Sequence, residues 1–137
     1  MNKAIALCSS MQFKKEIKET ATTLQKNGWT VFTPELSEKS TDYMALPLAE
    51  QQAAKRVFIK NHFERINQSD SILVLNYEKK GIAGYIGSNT LMEIAVAFHL
   101  GKTIYVLNSL AEQGCKEEVT VVTTQFLEGS LELLDRK

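Results

Sequence analysis

Glu93 is the one acid in the run GYIGSNTLMEIAVAFHLGK, residues 84–102. Two kinds of chemistry fit that placement. Thr90-Leu91-Met92-Glu93 has the spacing of a capping box, in which the hydroxyl and the carboxylate each satisfy an orphan backbone N–H at a helix start. The other reading is a reactive carboxylate. Leu91, Met92, Ile94, Ala95, Val96, Ala97 and Phe98 leave no polar side around the acid, so the pattern predicts a helix buried on nearly every side. A carboxylate on such a surface is costly unless it is paired or used. A helix N-terminus also favours the ionised form by ~0.3–1 kcal/mol, and that is the form a nucleophile requires.

Gly81, Gly84 and Gly87 precede this acid as G-x-x-G-x-x-G, which matches neither the dinucleotide fingerprint nor the P-loop. Either the loop simply needs positive φ angles, or it delivers the free N–H groups of a helix N-terminus to a polar or anionic ligand. Tyr85, Ser88 and Asn89 add polar side chains to the same stretch. Ser9 and Ser10, after the first apolar run, are either turn residues or ligand contacts. Cys8 before them invites a phosphocysteine reading. The phosphatase pattern C-x5-R needs arginine at position 14, where Lys14 stands, and an ammonium lacks the bidentate grip of a guanidinium. A small buried core residue is the better account of Cys8. His62 and His99 lack metal-ligand spacing, and Cys8 and Cys115 lack a C-x-x-C pattern. No zinc site, disulfide framework or cofactor is expected.

These residues depend on the elements that carry them. Apolar runs at 4–8, 29–34, 71–76, 103–108 and 118–122 read as five strands, interleaved with helical patterns. Phe13, Ile17, Ala21 and Leu24 mark the first helix, stopped by Asn27-Gly28. A polar irregular loop is expected from Glu35 to about Pro47, then a helix over roughly 48–68 with Phe58, Ile59, Phe63 and Ile66 supplying apolar contacts. An amphipathic piece with Leu127, Leu131 and Leu134 closes the chain. Continuously apolar strands separated by helices imply an α/β fold, a doubly wound, flavodoxin- or Rossmann-like five-stranded parallel sheet with helices on both faces. In the order 2-1-3-4-5 the winding reverses between the first and third strands, so function is expected in the loops after Cys8 and after Asn76.

The 137 residues suit one domain over residues 1–137. Sixteen basic and sixteen acidic residues give no net charge, which signals neither nucleic acid nor a membrane surface and leaves small molecules as partners. The opening MNKAIALCSS has too few apolar residues for a signal peptide or a membrane span, so a cytoplasmic location is expected.

QSDSILVLN (68–76), followed by GSNTLMEIAVAFHLGKTIYVLN (87–108), resembles the nucleoside 2-deoxyribosyltransferase superfamily, including the 2'-deoxynucleoside 5'-phosphate N-hydrolases. That resemblance implies N-glycosidic bond cleavage or transfer on a nucleoside or nucleotide. It makes Glu93 the nucleophile and Asp70 the group that positions the substrate or protonates the leaving base. It also sets Ser9 and Ser10 where the nucleotide hydrolases bind phosphate, and implies a homodimer or higher homo-oligomer in which a neighbouring chain closes each site. The chain departs from the pattern in places. The aromatic residue and arginine of the hydrolases' first-strand motif give way to Ala6 and Gln12, and the transferases' aspartate six residues before the nucleophile is Gly87. Choice of base, sugar, phosphate and acceptor stays open, and a binding module without turnover is the alternative.

Overall fold

The computed structural model describes residues 3–34 and 44–134. Five strands, β1 (Ala4–Cys8), β2 (Thr30–Phe32), β3 (Ser71–Val74), β4 (Thr103–Val106) and β5 (Gln125–Phe126), form one sheet in the order β2-β1-β3-β4-β5. Every pairing is parallel. This is the expected doubly wound α/β architecture, with its switch point between β1 and β3. The helices are α1 (Lys14–Lys26), α2 (Leu48–Asn67), α3 (Ser88–His99) and α4 (Lys116–Val122), with short 3-10 turns at Met11–Phe13 and Leu131–Leu133.

Strand parity divides the core. Ile5, Leu7, Leu73 and Leu75 point to one face, where Ile17, Ala21 and Leu24 of α1 meet Trp29, Leu127 and Leu134. Ala6, Cys8, Ile72, Val74, Ile104 and Val106 point to the other, against Ile66 of α2, Ile94 and Ala97 of α3 and Val119 of α4. Successive residues of a strand alternate sides, so burial on both faces explains why the strands read as unbroken apolar runs. The register pairs Cys8 with Val74, which puts the thiol at the carboxyl edge of the sheet on the α2–α3 side.

The run 118–122, expected as a strand, is helix α4 instead, and the fifth strand is Gln125–Phe126. Local β preference of valine and threonine is a weak prior that tertiary context overrides. Here Glu117 and Glu118 occupy the first helical turn, where the helix dipole favours them. The hydroxyls of Thr120 and Thr123 donate back to the carbonyls of Lys116 and Val119, at 2.6 and 2.7 Å, so the helix absorbs both threonines. Residues 35–43 of the expected irregular loop lie outside the described residues.

Helix α3 is not buried all round. Thr90, Ile94 and Ala97 form its inward stripe, whereas Met92 is 40% exposed and Phe98 58%. Among the described residues, no helix is long and apolar enough to cross a membrane.

Candidate active site

A cavity of about 540 Å³ opens at the switch point. The end of β1 contributes Ser9 and Ser10, α2 contributes His62, and the start of α3 contributes Gly87, Ser88, Asn89, Thr90 and Glu93. The parallel pairing of β1 with β3 makes the chain leave both strands at the same edge, and α2 packs against α3 across the gap. The size lies within the range of small-molecule sites.

Three titratable side chains from three elements converge at its inner end. The Sγ of Cys8 lies 3.7 Å from Nε2 of His62. The Sγ, a His62 nitrogen and a Glu93 carboxylate oxygen all fall within 4.8 Å of one another. Cys8 is wholly buried and His62 is 2% exposed. Burial pushes the Glu93 carboxyl from an ordinary 4.5 up to about 8, and a hydrogen bond from the Cys8 thiol opposes only part of that rise. By the free-energy equivalent of a pKa change this is about 5 kcal/mol against ionisation, several times what a helix N-terminus returns. Desolvation therefore outweighs the helix dipole, and the expected preference of Glu93 for its ionised form is reversed. Burial also raises the Cys8 thiol well above its usual range, with the neighbouring Glu93 adding to the effect. It lowers His62 from 6.5 to about 4; the Leu7 backbone resists the change and the Arg65 charge assists it. All three groups are neutral near pH 7. Nδ1 of His62 is buried without a hydrogen-bond partner.

The outer part of the cavity is cationic. Lys14, Lys55 and Lys79 line it, and Glu93 is its only carboxylate among the described residues. Lys79 Nζ donates to Ser10 Oγ at 3.2 Å, and the same oxygen accepts from the Gln12 N–H at 3.3 Å. Ser9 Oγ donates to the Leu75 carbonyl at 2.7 Å and so ties the β1 loop to the end of β3. The ammonium groups of Lys79 and Lys80 stand 6.0 and 5.7 Å from the ring centre of Tyr85, at the outer limit of cation–π attraction.

Of the residues singled out from the sequence, Glu93, Ser9, Ser10, Tyr85, Gly87, Ser88 and Asn89 all line this cavity. Two do not. Asp70 sits at the opposite, amino edge of the sheet, where its carboxylate accepts the Ala4 N–H at 2.8 Å. Four strand residues, about 13 Å, separate it from the edge that bears the cavity. Asp70 is placed to clamp the strand starts and not to reach a substrate beside Glu93. Gly84 lines a different hollow with Asn108 and Ser109. Its φ is +67°, and a Cβ there would collide with the Ser109 carbonyl, so its role is backbone geometry. Gly87 has an extended conformation, φ −81° and ψ 171°, and is the N-cap of α3.

The capping box does not form. With Gly87 as N-cap, Thr90 is the third residue inside the helix, and the first helical bond runs from the Leu91 N–H to the Gly87 carbonyl. The Glu93 carboxyl is left for the cavity.

His62, Lys55 and Lys79 were not legible as site residues. A signal for two of them was present: Lys55, Phe58, Ile59 and His62 fall at i, i+3, i+4 and i+7, one face of a helix. All four line the cavity.

Among solved structures, this chain is similar to a 2-deoxyribosyltransferase from the psychrotolerant bacterium Bacillus psychrosaccharolyticus, with a TM-score of 0.69, 18% identity, and coverage of 96% of this chain and 92% of that one. It has the fold of the 2-deoxyribosyltransferases. A CMP N-glycosidase of Clostridium botulinum, BcmB, aligns with a TM-score of 0.53 and 22% identity over 90% of this chain and 87% of its own. A 2-deoxyribosyltransferase from Leishmania mexicana aligns with a TM-score of 0.54 and 13% identity over 84% and 70%. No protein-family model and no curated protein sequence matches the chain. At these identities the likeness is one of fold, and the chemistry rests on the residues in the cavity.

Proposed function

We propose that the protein cleaves or transfers the N-glycosidic bond of a nucleoside or nucleoside 5'-monophosphate, with Glu93 as nucleophile. One observation carries this reading. The only carboxyl group of the switch-point cavity among the described residues stands at its inner end, in a fold shared with enzymes of that bond. The carboxylate attacks the anomeric carbon as the base departs, through an oxocarbenium-like transition state. The covalent glycosyl-enzyme is then resolved by water or by a second base, with net retention.

Burial gives this nucleophile its character. With a pKa of about 8, roughly one molecule in ten carries the ionised form at pH 7. Positive charge developing on the sugar favours that form, because opposite charges attract strongly in a site shielded from water. The neutral state of His62 adds no competing cation beside the reacting carbon.

The lysines favour a phosphorylated substrate. Lys14, Lys55 and Lys79 line the cavity with positive charge, Lys79 bonded to Ser10 just past β1, and an ammonium attracts phosphate as a point charge. The reading extends to a homodimer, because Val57 and Phe58 on α2 and Met92 and Phe98 on α3 are exposed at 54%, 38%, 40% and 58%. Pairing through these helices would cover side chains that are costly to leave in water. Light scattering at micromolar concentration reads this directly: twice the chain mass is expected, and a monomer contradicts it.

The test of function is to incubate the protein with a panel of nucleosides and 5'-monophosphates and to follow free base by chromatography. Base release from wild type, greatest with the monophosphates and abolished in Glu93→Gln, is the expected result. Saturable ligand binding with no base released from any substrate would refute turnover and leave a binding module.

A further inference from the structure

We propose that Cys8, His62 and Glu93 form a binding site for one divalent cation of the zinc class, and that its occupation silences the Glu93 carboxylate. The activity part of this inference rests on the reading of Glu93 above; the metal site does not.

The donor set comes from three separate elements, β1, α2 and α3, and its atoms lie within 4.8 Å of one another. A tetrahedral zinc with Zn–S near 2.3 Å and Zn–N near 2.0–2.1 Å sets its sulfur and nitrogen about 3.6 Å apart. The Cys8 Sγ and His62 Nε2 are 3.7 Å apart already. The carboxylate completes a three-donor set, and His62 and Glu93 both border the cavity, so a fourth position is open to water or ligand. Three protein donors with one open position is the arrangement of a reactive or exchangeable zinc rather than a closed structural one.

Donor chemistry selects the ion. A thiolate and an imidazole suit zinc and its spectroscopic substitute cobalt, whereas magnesium and calcium take all-oxygen shells. Nε2 of His62 is the ring nitrogen that faces the Cys8 sulfur, and Nδ1 is buried on the other side of the ring. Binding exchanges the thiol and carboxyl protons for the cation. The S–H and O–H bonds break, both protons pass to solvent, and two metal–ligand bonds form alongside that to nitrogen. No oxidant or reductant takes part. A carboxylate bound to the metal shares its negative charge with the cation and is held in place by it, which makes it a weaker nucleophile toward an anomeric carbon.

Sequence spacing could not reveal this site. Cys8 and His62 are 54 residues apart, and metal-binding patterns with short spacings do not register donors that only the sheet edge and helix packing bring together.

The test is titration of the chelator-treated protein with Co²⁺, followed by visible absorption. Wild type is expected to saturate at one equivalent with a thiolate-to-cobalt charge-transfer band that Zn²⁺ bleaches. Cys8→Ala should lose the band. Glu93→Gln, which keeps the side-chain volume, should weaken binding by at least the roughly 10–100-fold that loss of an outer partner costs a metal site. Cys115→Ala should behave as wild type. Absence of the band in wild type, or a band lost in Cys115→Ala but kept in Cys8→Ala, overturns the site. In the second arm, one equivalent of Zn²⁺ should suppress base release and chelator should restore it; unchanged turnover in zinc-saturated protein overturns the silencing. A protein that releases no base from any substrate fails the functional reading alone, since the cobalt spectrum still decides the site.

Discussion

Cys8 and His62 touch across the edge of the sheet, Sγ to Nε2 at 3.7 Å, and neither side chain reaches bulk water. The contact joins the last residue of β1 to the second turn from the end of α2, with a carboxylate oxygen of Glu93 within 4.8 Å of both groups. Its consequences can be read as a function of pH, provided that metal is kept out with chelator.

The first concerns acid stability. His62 is held neutral with a pKa of about 4, against 6.5 when free, chiefly by burial, with the Leu7 backbone of β1 resisting and the Arg65 charge of α2 assisting. Its folded value is depressed, so the unfolded chain binds the extra proton between those two values. Stability is full above about pH 6.5 and falls toward pH 4, by up to about 3 kcal/mol. Urea titrations at pH 7 and pH 4.5 should show this loss, and His62→Gln should flatten it. An equal acid loss in the variant would remove His62 as its source.

Glu93 works in the opposite sense. Its folded pKa of about 8 lies above the ordinary 4.5, so the folded state holds a proton that the unfolded chain has released. Stability from this group is full below about pH 4.5 and declines as pH rises to about 8. Glu93→Gln, which carries no charge, should therefore be more stable than wild type at pH 8 by a few kcal/mol. Turnover should rise over the same interval and level off above about pH 8, because only the ionised carboxylate attacks. A rate that falls from pH 6 to pH 8 would assign Glu93 to proton donation instead.

Asp70 should matter to stability and not to chemistry. Removing its bond to the Ala4 N–H in Asp70→Ala is expected to cost about 1 kcal/mol, with turnover within about twofold of wild type. A loss of turnover by orders of magnitude in a folded variant would return Asp70 to the reaction.

Gly84→Ala tests the loop that leads into α3. The new methyl would meet the Ser109 carbonyl at a left-handed φ of +67°, and Asn76 and Gln113 both hydrogen-bond to the Gly84 carbonyl. A destabilisation of about 2–4 kcal/mol is expected. An unperturbed melting temperature would show that the loop yields.

The sheet was legible because burial on both faces leaves its mark on the central strands: β1 and β3 are short, almost wholly buried runs bounded by turns. The fifth failed for a definite reason. In VTVV the β-branched residues suggested a strand, but threonine hydroxyls that bond back along a helix and two glutamates at its start outweigh that preference. Glu93 and its polar neighbours were legible because they lie in one contiguous stretch after β3. Asp70, taken from the resemblance as a site residue, stands at a strand start and so at the edge of the parallel sheet opposite the cavity. His62 was missed because its significance comes from Cys8 and Glu93, and only the packing of α2 on α3 supplies them. Of the two readings of Glu93, the capping box needed a helix starting at Thr90, and the start three residues earlier at Gly87 leaves the carboxyl free of its own backbone.

The role of Glu93 as nucleophile is tested most directly by intact-protein mass spectrometry. Metal-free protein is mixed with a substrate that releases base and is then quenched in acid within a single turnover. A mass increase equal to the glycosyl fragment, mapped to the peptide containing Glu93 and absent from Glu93→Gln, is the predicted result. Base release at full rate in Glu93→Gln, or an adduct on a different residue, would contradict it.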